Sequence, residues 1–313
     1  VFAILPLLCA VGCAELRSVR PPKLQEPLEP QKRTEERVSA LPLSADERVM
    51  ERNVARHVQY LTVRIGERNP AHPWELASAA DYLAEQLEQT GLAPERQGYE
   101  TDGIMALNLT VTLPGSSRGE ELVVLGTHYD SPPGKVGESE AEQVAVLLEL
   151  ARNLRGAGLA RTVRIAFFAL GAGAHGANRG SVRFASQLDD VRPSAVVVFE
   201  PHRTPMAEND ATHTIFRLDW SHNAEGISRT FAEGIAGDPF VVEGSVLALG
   251  AQDSDANVFA ERGVRTLRLS TARHTRTEDL ARLVGRLRFA LRSIAGARQT
   301  NDNMLTPDPR AVR

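Results

Sequence analysis

Cysteine is nearly absent from this 313-residue chain: the two that occur, Cys9 and Cys13, both lie at the N-terminal end. Two cysteines cannot build a disulfide framework. Their absence after residue 13 excludes a thiol nucleophile and a cysteine-ligated zinc site from everything that follows. No sign of charge dominates either. The 36 Lys and Arg against 40 Asp and Glu leave a formal net charge of −4, so no bulk attraction draws the chain to nucleic acid, which is not an expected partner. Beyond the first 13 residues there is no long apolar run, and no internal repeat appears. What is present, 42% hydrophobic and 24% charged residues, is the balance of a soluble globular protein rather than of a disordered acidic chain or a multi-span membrane protein.

Residues 1–13, VFAILPLLCAVGC, form an apolar run of signal-peptide length, too short to span a bilayer by itself. Its ending, Ala10-Val11-Gly12-Cys13, resembles a bacterial lipobox, which implies lipidation of Cys13 and a membrane-anchored, exported lipoprotein. The alternative is a plain secretory signal, with Cys13 incidental and a periplasmic product. Residues 14–44 carry several prolines and mixed charges without periodicity, as a tether does. The folded domain is expected over 45–297, with a tail over 298–313.

Helix and strand signals alternate through that domain. Ser44-Ala45-Asp46-Glu47 is a capping box. Val54, Val58, Leu61 and Ile65 follow at helical spacing, and Gly66 can close the helix. A second helix carries Leu76, Ala80, Leu83 and Leu87. Strands are expected over 106–113, 121–127, 163–169, 195–199, 214–218 and 265–269. Helices carry Val144 to Leu154, a short segment ending near Leu188, residues 224–235, and Leu280 to Ile294. Continuous apolar strands between amphipathic helices predict an α/β fold: a mainly parallel central sheet with helices on both faces.

In open α/β sheets, ligands bind beyond the carboxyl ends of the strands. There the chain places His128-Tyr129-Asp130-Ser131, then Gly171 to Gly176 with His175, then Glu200-Pro201-His202, and finally His274. Histidines and carboxylates converging on one rim suit zinc. In His128-x-Asp130 the carboxylate is placed to hold the second imidazole nitrogen.

These segments in order resemble the dizinc aminopeptidases, a metallopeptidase family that includes glutaminyl cyclases and some non-catalytic receptors. The resemblance runs from about residue 54 to 292. It is strongest in LVVLGTHYDS (122–131). It also rests on 108–115, 146–152, Phe167-Phe168, Gly180-Ser181, Ser254-Asp255, 259–263 and His274-Thr275. It implies a three-layer sandwich holding two zinc ions that share a bridging carboxylate and a water, and hydrolysis of peptide N-terminal residues.

Carried over by position, the resemblance makes His128, Glu200 and His274 metal ligands and Asp130 the residue that orients His128. Glu200 stands where the family usually has Asp. The bridging position falls on Glu140 counting forward from His128, or on Ser139 counting back from the helix. Glu138 and Glu142 read as a solvated helix start, and His213 and His222 have no motif context.

The largest departure follows Phe167-Phe168. Where the family has adjacent glutamates, general base then ligand, this chain carries Gly173 and Ala174, which neither accept a proton nor bind a metal. His175 is a possible substitute base or ligand, and His202 a possible substitute ligand. Zero or one zinc ion is expected. Two function classes follow: a catalytically impaired, exported binding or scaffold protein, whose partners are peptide or protein N-termini; or a single-zinc hydrolase with a substituted base.

Overall fold

The computed structural model describes residues 42–173, 175–188, 191–201, 213–250, 254–271 and 275–296. The first helix, α1 (Ala45–Gln59), begins with the capping box read from sequence: the Ser44 hydroxyl accepts from the Glu47 amide, and the Glu47 carboxylate accepts from the Ser44 amide. Its last stretch rewinds as a π-helix, Tyr60–Ile65, which Gly66 terminates at φ 84°. Helix α2 (Pro73–Gln89) has Pro at its first position, where a missing amide proton costs nothing. The main helices that follow are α3 (Glu138–Leu154), α5 (Glu225–Ile235) and α7 (Thr277–Ala295). Two shorter ones are α4 (Gly180–Ser186) and α6 (Asp255–Ala260). Among the described residues, no helix is long and apolar enough to cross a membrane.

Eight strands form one sheet. In chain order they are β1 (Glu95–Thr101), β2 (Ile104–Leu113), β3 (Arg118–His128), β4 (Arg161–Phe168), β5 (Ala195–Phe199), β6 (Thr214–Trp220), β7 (Phe240–Glu243) and β8 (Thr266–Thr271). Their spatial order is β1-β2-β4-β3-β5-β8-β6-β7. The central four, β4, β3, β5 and β8, are mutually parallel, and β6 pairs parallel with β7. β1–β2, β2–β4 and β6–β8 are antiparallel. The α/β class with a mainly parallel sheet is therefore the one the sequence predicts. Edge strand β1, with the polar sequence ERQGYET, and the four-residue β7 carry too little apolar signal to be read in advance.

Both faces of the sheet are buried, which explains the unbroken apolar runs. Side chains alternate across a strand. Val123 and Leu125 of β3, with Val197 and Phe199 of β5, join the core under α1, α2, α3, α5 and α7. Leu122 and Val124, with Val196 and Val198, join a second core with Phe184 of α4 and Phe259 of α6. This alternation also aims the strand ends: His128 and Glu200 continue the even-numbered series, toward the α4–α6 layer.

Candidate active site

At the end of β3 the imidazole of His128 is buried. Its Nδ1 lies 2.9 Å from Oδ2 of Asp255, the first residue of α6. The other oxygen of Asp255 accepts from Arg179 Nη2 at 2.8 Å, from Arg179 Nε at 3.2 Å and from the Ser181 hydroxyl at 2.5 Å. All four side chains are nearly sealed from solvent. Burial opposes ionisation of Asp255, but the Arg179 charge, then the bond and charge of His128, hold its carboxyl well below the usual range. For His128, burial favours the neutral ring. The Asp255 hydrogen bond and charge, aided by Asp130 and Glu140, more than reverse this and raise its pKa.

Asp130 is placed differently from the sequence expectation. Its Oδ1 accepts from the Gly171 amide at 2.7 Å and its Oδ2 from the Ala172 amide at 3.0 Å. Asp130 thus ties down the loop after β4, and Asp255 is the carboxylate at His128 Nδ1. The end of the strand explains the correction: β3 stops at His128, so two residues later the chain has left the pleat and Asp130 reaches the neighbouring loop. That loop starts from a strained point, because the buried Leu170 takes a left-handed φ of 58°. Gly171 then passes directly over the imidazole, where a Cβ would sit 2.2 Å from the His128 Cβ. Gly173 is roomier: the nearest atoms to a Cβ there belong to the ring tip of His175, whose Nε2 would be 2.7 Å away. His175 is half-buried.

The turn leading to α3 rests on a second arginine. Arg68, fully buried, donates to the carbonyls of Leu61, Gly66, Tyr129, Val136 and Gly137. Burial lowers its pKa to about 10, against the fields of Glu140 and Asp130. Gly137 caps α3 in the left-handed region, and a Cβ there would press on Ser131 at 2.8 Å. Glu140 is buried and Ser139 half-buried. Glu138 is exposed, as a solvated helix start should be, but Glu142 is not. It faces inward one turn later and is 6% exposed. Burial raises its pKa to about 8, with Glu138 and Glu140 adding to the rise. Its Oε2 and both amide atoms of Gln143 are buried without a hydrogen-bond partner among the described residues.

Glu200, just past β5, accepts from the Ser254 hydroxyl at 3.0 Å and from the Ala256 amide at 2.7 Å. Burial, then the charge of Asp255, push its carboxyl toward the neutral form. One N-terminus, that of α6, therefore serves both strand ends: Asp255 takes His128, and the residues flanking it take Glu200.

Sequence reasoning missed Arg68 and Arg179. Arg179 immediately precedes the Gly180-Ser181 pair that supported the resemblance; nothing in the sequence singles out Arg68.

The donor atoms decide how well this set suits zinc. Asp130, Asp255 and Glu200 have their oxygens engaged by fixed N–H and O–H donors, and two buried guanidinium groups supply positive charge nearby. Among the described residues, no three His, Cys, Asp or Glu side chains are grouped so as to hold a metal ion. His274, His202, Ala174 and Cys13 lie outside the described residues.

The family model for peptidase family M28 matches residues 108–283. A zinc aminopeptidase from Bacillus subtilis shares the fold with a TM-score of 0.62 at 13% identity, over 78% of this chain and 95% of that one. The LapA aminopeptidase of Legionella pneumophila gives a TM-score of 0.58 at 17% identity, over 79% and 73%. A glutaminyl cyclase from Porphyromonas gingivalis gives 0.55 at 18% identity, over 80% and 97%. At such identities the likeness is one of fold. A comparison with curated protein sequences finds no match. The matched family segment runs from β2 into α7 and takes in His128, Asp130, Arg179, Glu200 and Asp255, and the chain belongs to peptidase family M28.

Proposed function

We propose that this chain is an exported M28-family protein impaired in catalysis, which binds peptide or protein N-termini without efficient hydrolysis. The observation that carries this reading is the loop after β4. Where relatives place the base and a ligand, this chain has Gly173, and the preceding amides are tied to Asp130. Loss of a general base alone costs about 10²–10⁴ in rate. In active relatives zinc lowers the pKa of its bound water and polarises the scissile carbonyl. Here the neighbouring residues serve other ends: Asp255 and Arg179 fix His128, and Asp130 shapes the loop.

The test is hydrolysis of chromogenic amino-acid amides by the full-length protein, with and without added zinc. Little or no turnover is expected, and the Gly173→Glu/Ala174→Glu double variant is expected to fall short of full activity because the bridging region also departs from the family pattern. Robust, chelator-sensitive turnover by the unmodified protein would overturn the proposal.

One observation favours the single-zinc hydrolase as a second reading. Asp255 holds Nδ1 of His128, the arrangement that orients a metal-binding imidazole. On that reading His175 is the substituted base, and His175→Ala abolishes the chelator-sensitive turnover.

Export and anchoring through a lipid on Cys13 are supported by the apolar run and the lipobox-like ending; a periplasmic protein is the alternative. Release of the Cys13→Ser variant from the membrane fraction is the outcome expected for the anchored form.

A further inference from the structure

A second polar site lies away from the strand ends, in the layer formed by α1, α2 and α3. Here the helices enclose a cavity of about 220 Å³, lined by Arg56, His57, Gln86, Leu148, Glu149 and Arg152 among others. Glu149 sits nine residues beyond Glu140 on α3, about 14 Å along the axis at the usual helical rise. The cavity is smaller than the roughly 300–1,000 Å³ of sites for drug-sized ligands, so it suits a small molecule.

Its floor is built from buried groups that the strand-end cluster does not use. His57 and Glu149 are each about 3% exposed. His57 Nδ1 is 2.6 Å from the Tyr82 hydroxyl, and Glu149 Oε2 accepts from Asn53 Nδ2 at 3.1 Å. The other carboxylate oxygen, Oε1, is treated differently. The nearest basic nitrogens, His57 Nε2 and Arg152 Nη1, stand off at 3.7 and 3.9 Å. Both distances exceed hydrogen-bond reach. A carboxylate oxygen on a cavity wall with no hydrogen-bond donor on it among the described residues is open to a donor from a bound molecule. The rim has the opposite character. Arg56 is exposed, and its guanidinium makes no hydrogen bond among the described residues. Arg152 is half exposed, with only the long approach to Glu149.

We propose that this cavity binds a small zwitterion, a free α-amino acid. Its ammonium sits at Glu149 Oε1 and its carboxylate at Arg56 and Arg152. A simple anion would bring negative charge against Glu149, and a simple cation would meet two guanidinium groups; a zwitterion satisfies both ends. Leu148 supplies an apolar wall for a short side chain. This proposal is independent of whether the strand-end site is catalytic.

The test is calorimetric titration of the full-length protein with glycine, alanine and leucine, beside N-acetylalanine and alaninamide. Saturable binding of at least one free amino acid is expected. The acetylated and amidated forms should bind at least tenfold more weakly, because each removes one charge. Arg56→Ala, on the exposed rim, should weaken binding at least tenfold without affecting the thermal melt, and Glu149→Gln should do the same if it folds. His128→Ala should leave binding unchanged, which separates this cavity from the strand-end site. No saturable binding at millimolar concentration would overturn the proposal, leaving water as the occupant of the cavity. Equal binding of the acetylated form, or of the amide, would also overturn it, and so would loss of binding in His128→Ala with retention in Arg56→Ala.

Discussion

The loops after β3 and β4 leave neighbouring parallel strands at the same edge of the sheet, yet they are built on opposite plans. The β3 loop is made of side chains. His128 and Asp130 reach out from it, and Arg68 packs beneath it through three of its carbonyls, those of Tyr129, Val136 and Gly137. The β4 loop is made of backbone. Leu170 bends it, Gly171 lies over the imidazole, and two of its amides serve Asp130. The first loop presents side chains able to do chemistry, while the second holds them in place through its backbone.

Removing the cation that joins the two loops to α6 should have the largest effect. Arg179→Met leaves Asp255 charged, buried and short of its main partner. A loss of about 3–5 kcal/mol in unfolding free energy is expected by urea titration. A change below about 1 kcal/mol would mean that the ion pair contributes little to holding the cluster together. The charge on Asp255 also gives this contribution a pH window. Its folded pKa is depressed from 3.8, so the stabilisation is fully present above about pH 4 and is lost progressively below it.

The next test concerns α3, where the β3 loop leads. Glu142 has a folded pKa near 8 against 4.5 when free. Between those values the native state retains a proton that the unfolded chain has released, so stability should fall as pH rises from about 4.5 to 8 and level off above. The slope from one such group is at most about 1.4 kcal/mol per pH unit. Urea midpoints taken at pH 5, 6, 7 and 8 should decline in the native protein and flatten in Glu142→Gln. An unchanged slope in the variant would place the titration elsewhere.

Substitutions in the β4 loop should then separate its two glycines. Gly171→Ala forces a methyl onto His128, and overpacking of this kind costs about 1–3 kcal/mol or more. Gly173→Glu asks only that the His175 tip move, so its melting midpoint should stay close to that of the parent. If the two variants are equally destabilised, the described packing of Gly171 over the imidazole is wrong.

The sequence showed most of the central sheet because its strands are buried on both faces. Runs such as LVVLGTH in β3 and AVVVF in β5 have no other stable place. Strand β1 was hidden by its polar, half-exposed edge position, and α6 by its six-residue length. Within the site, His128 and Glu200 were legible because they directly follow apolar strands. The roles of Arg68 and Arg179 were not. A buried arginine is defined by the acceptors that surround it, and theirs come from as many as 76 residues away. The partner of His128 was misassigned for a related reason. Asp130 is its neighbour in sequence, but the contact is made by Asp255, 127 residues further on. Glu142 looked like one more charge at a helix start; in the fold it is buried, with the Thr275 backbone hydrogen-bonded to its carboxylate.

We propose that positive charge in this cluster comes from arginine side chains and backbone amides, in place of a pair of metal ions. Zinc content measured by elemental analysis tests it most directly, using full-length protein equilibrated with zinc and then desalted. Zero or one ion per chain is the predicted result; two well-occupied ions per chain would contradict it.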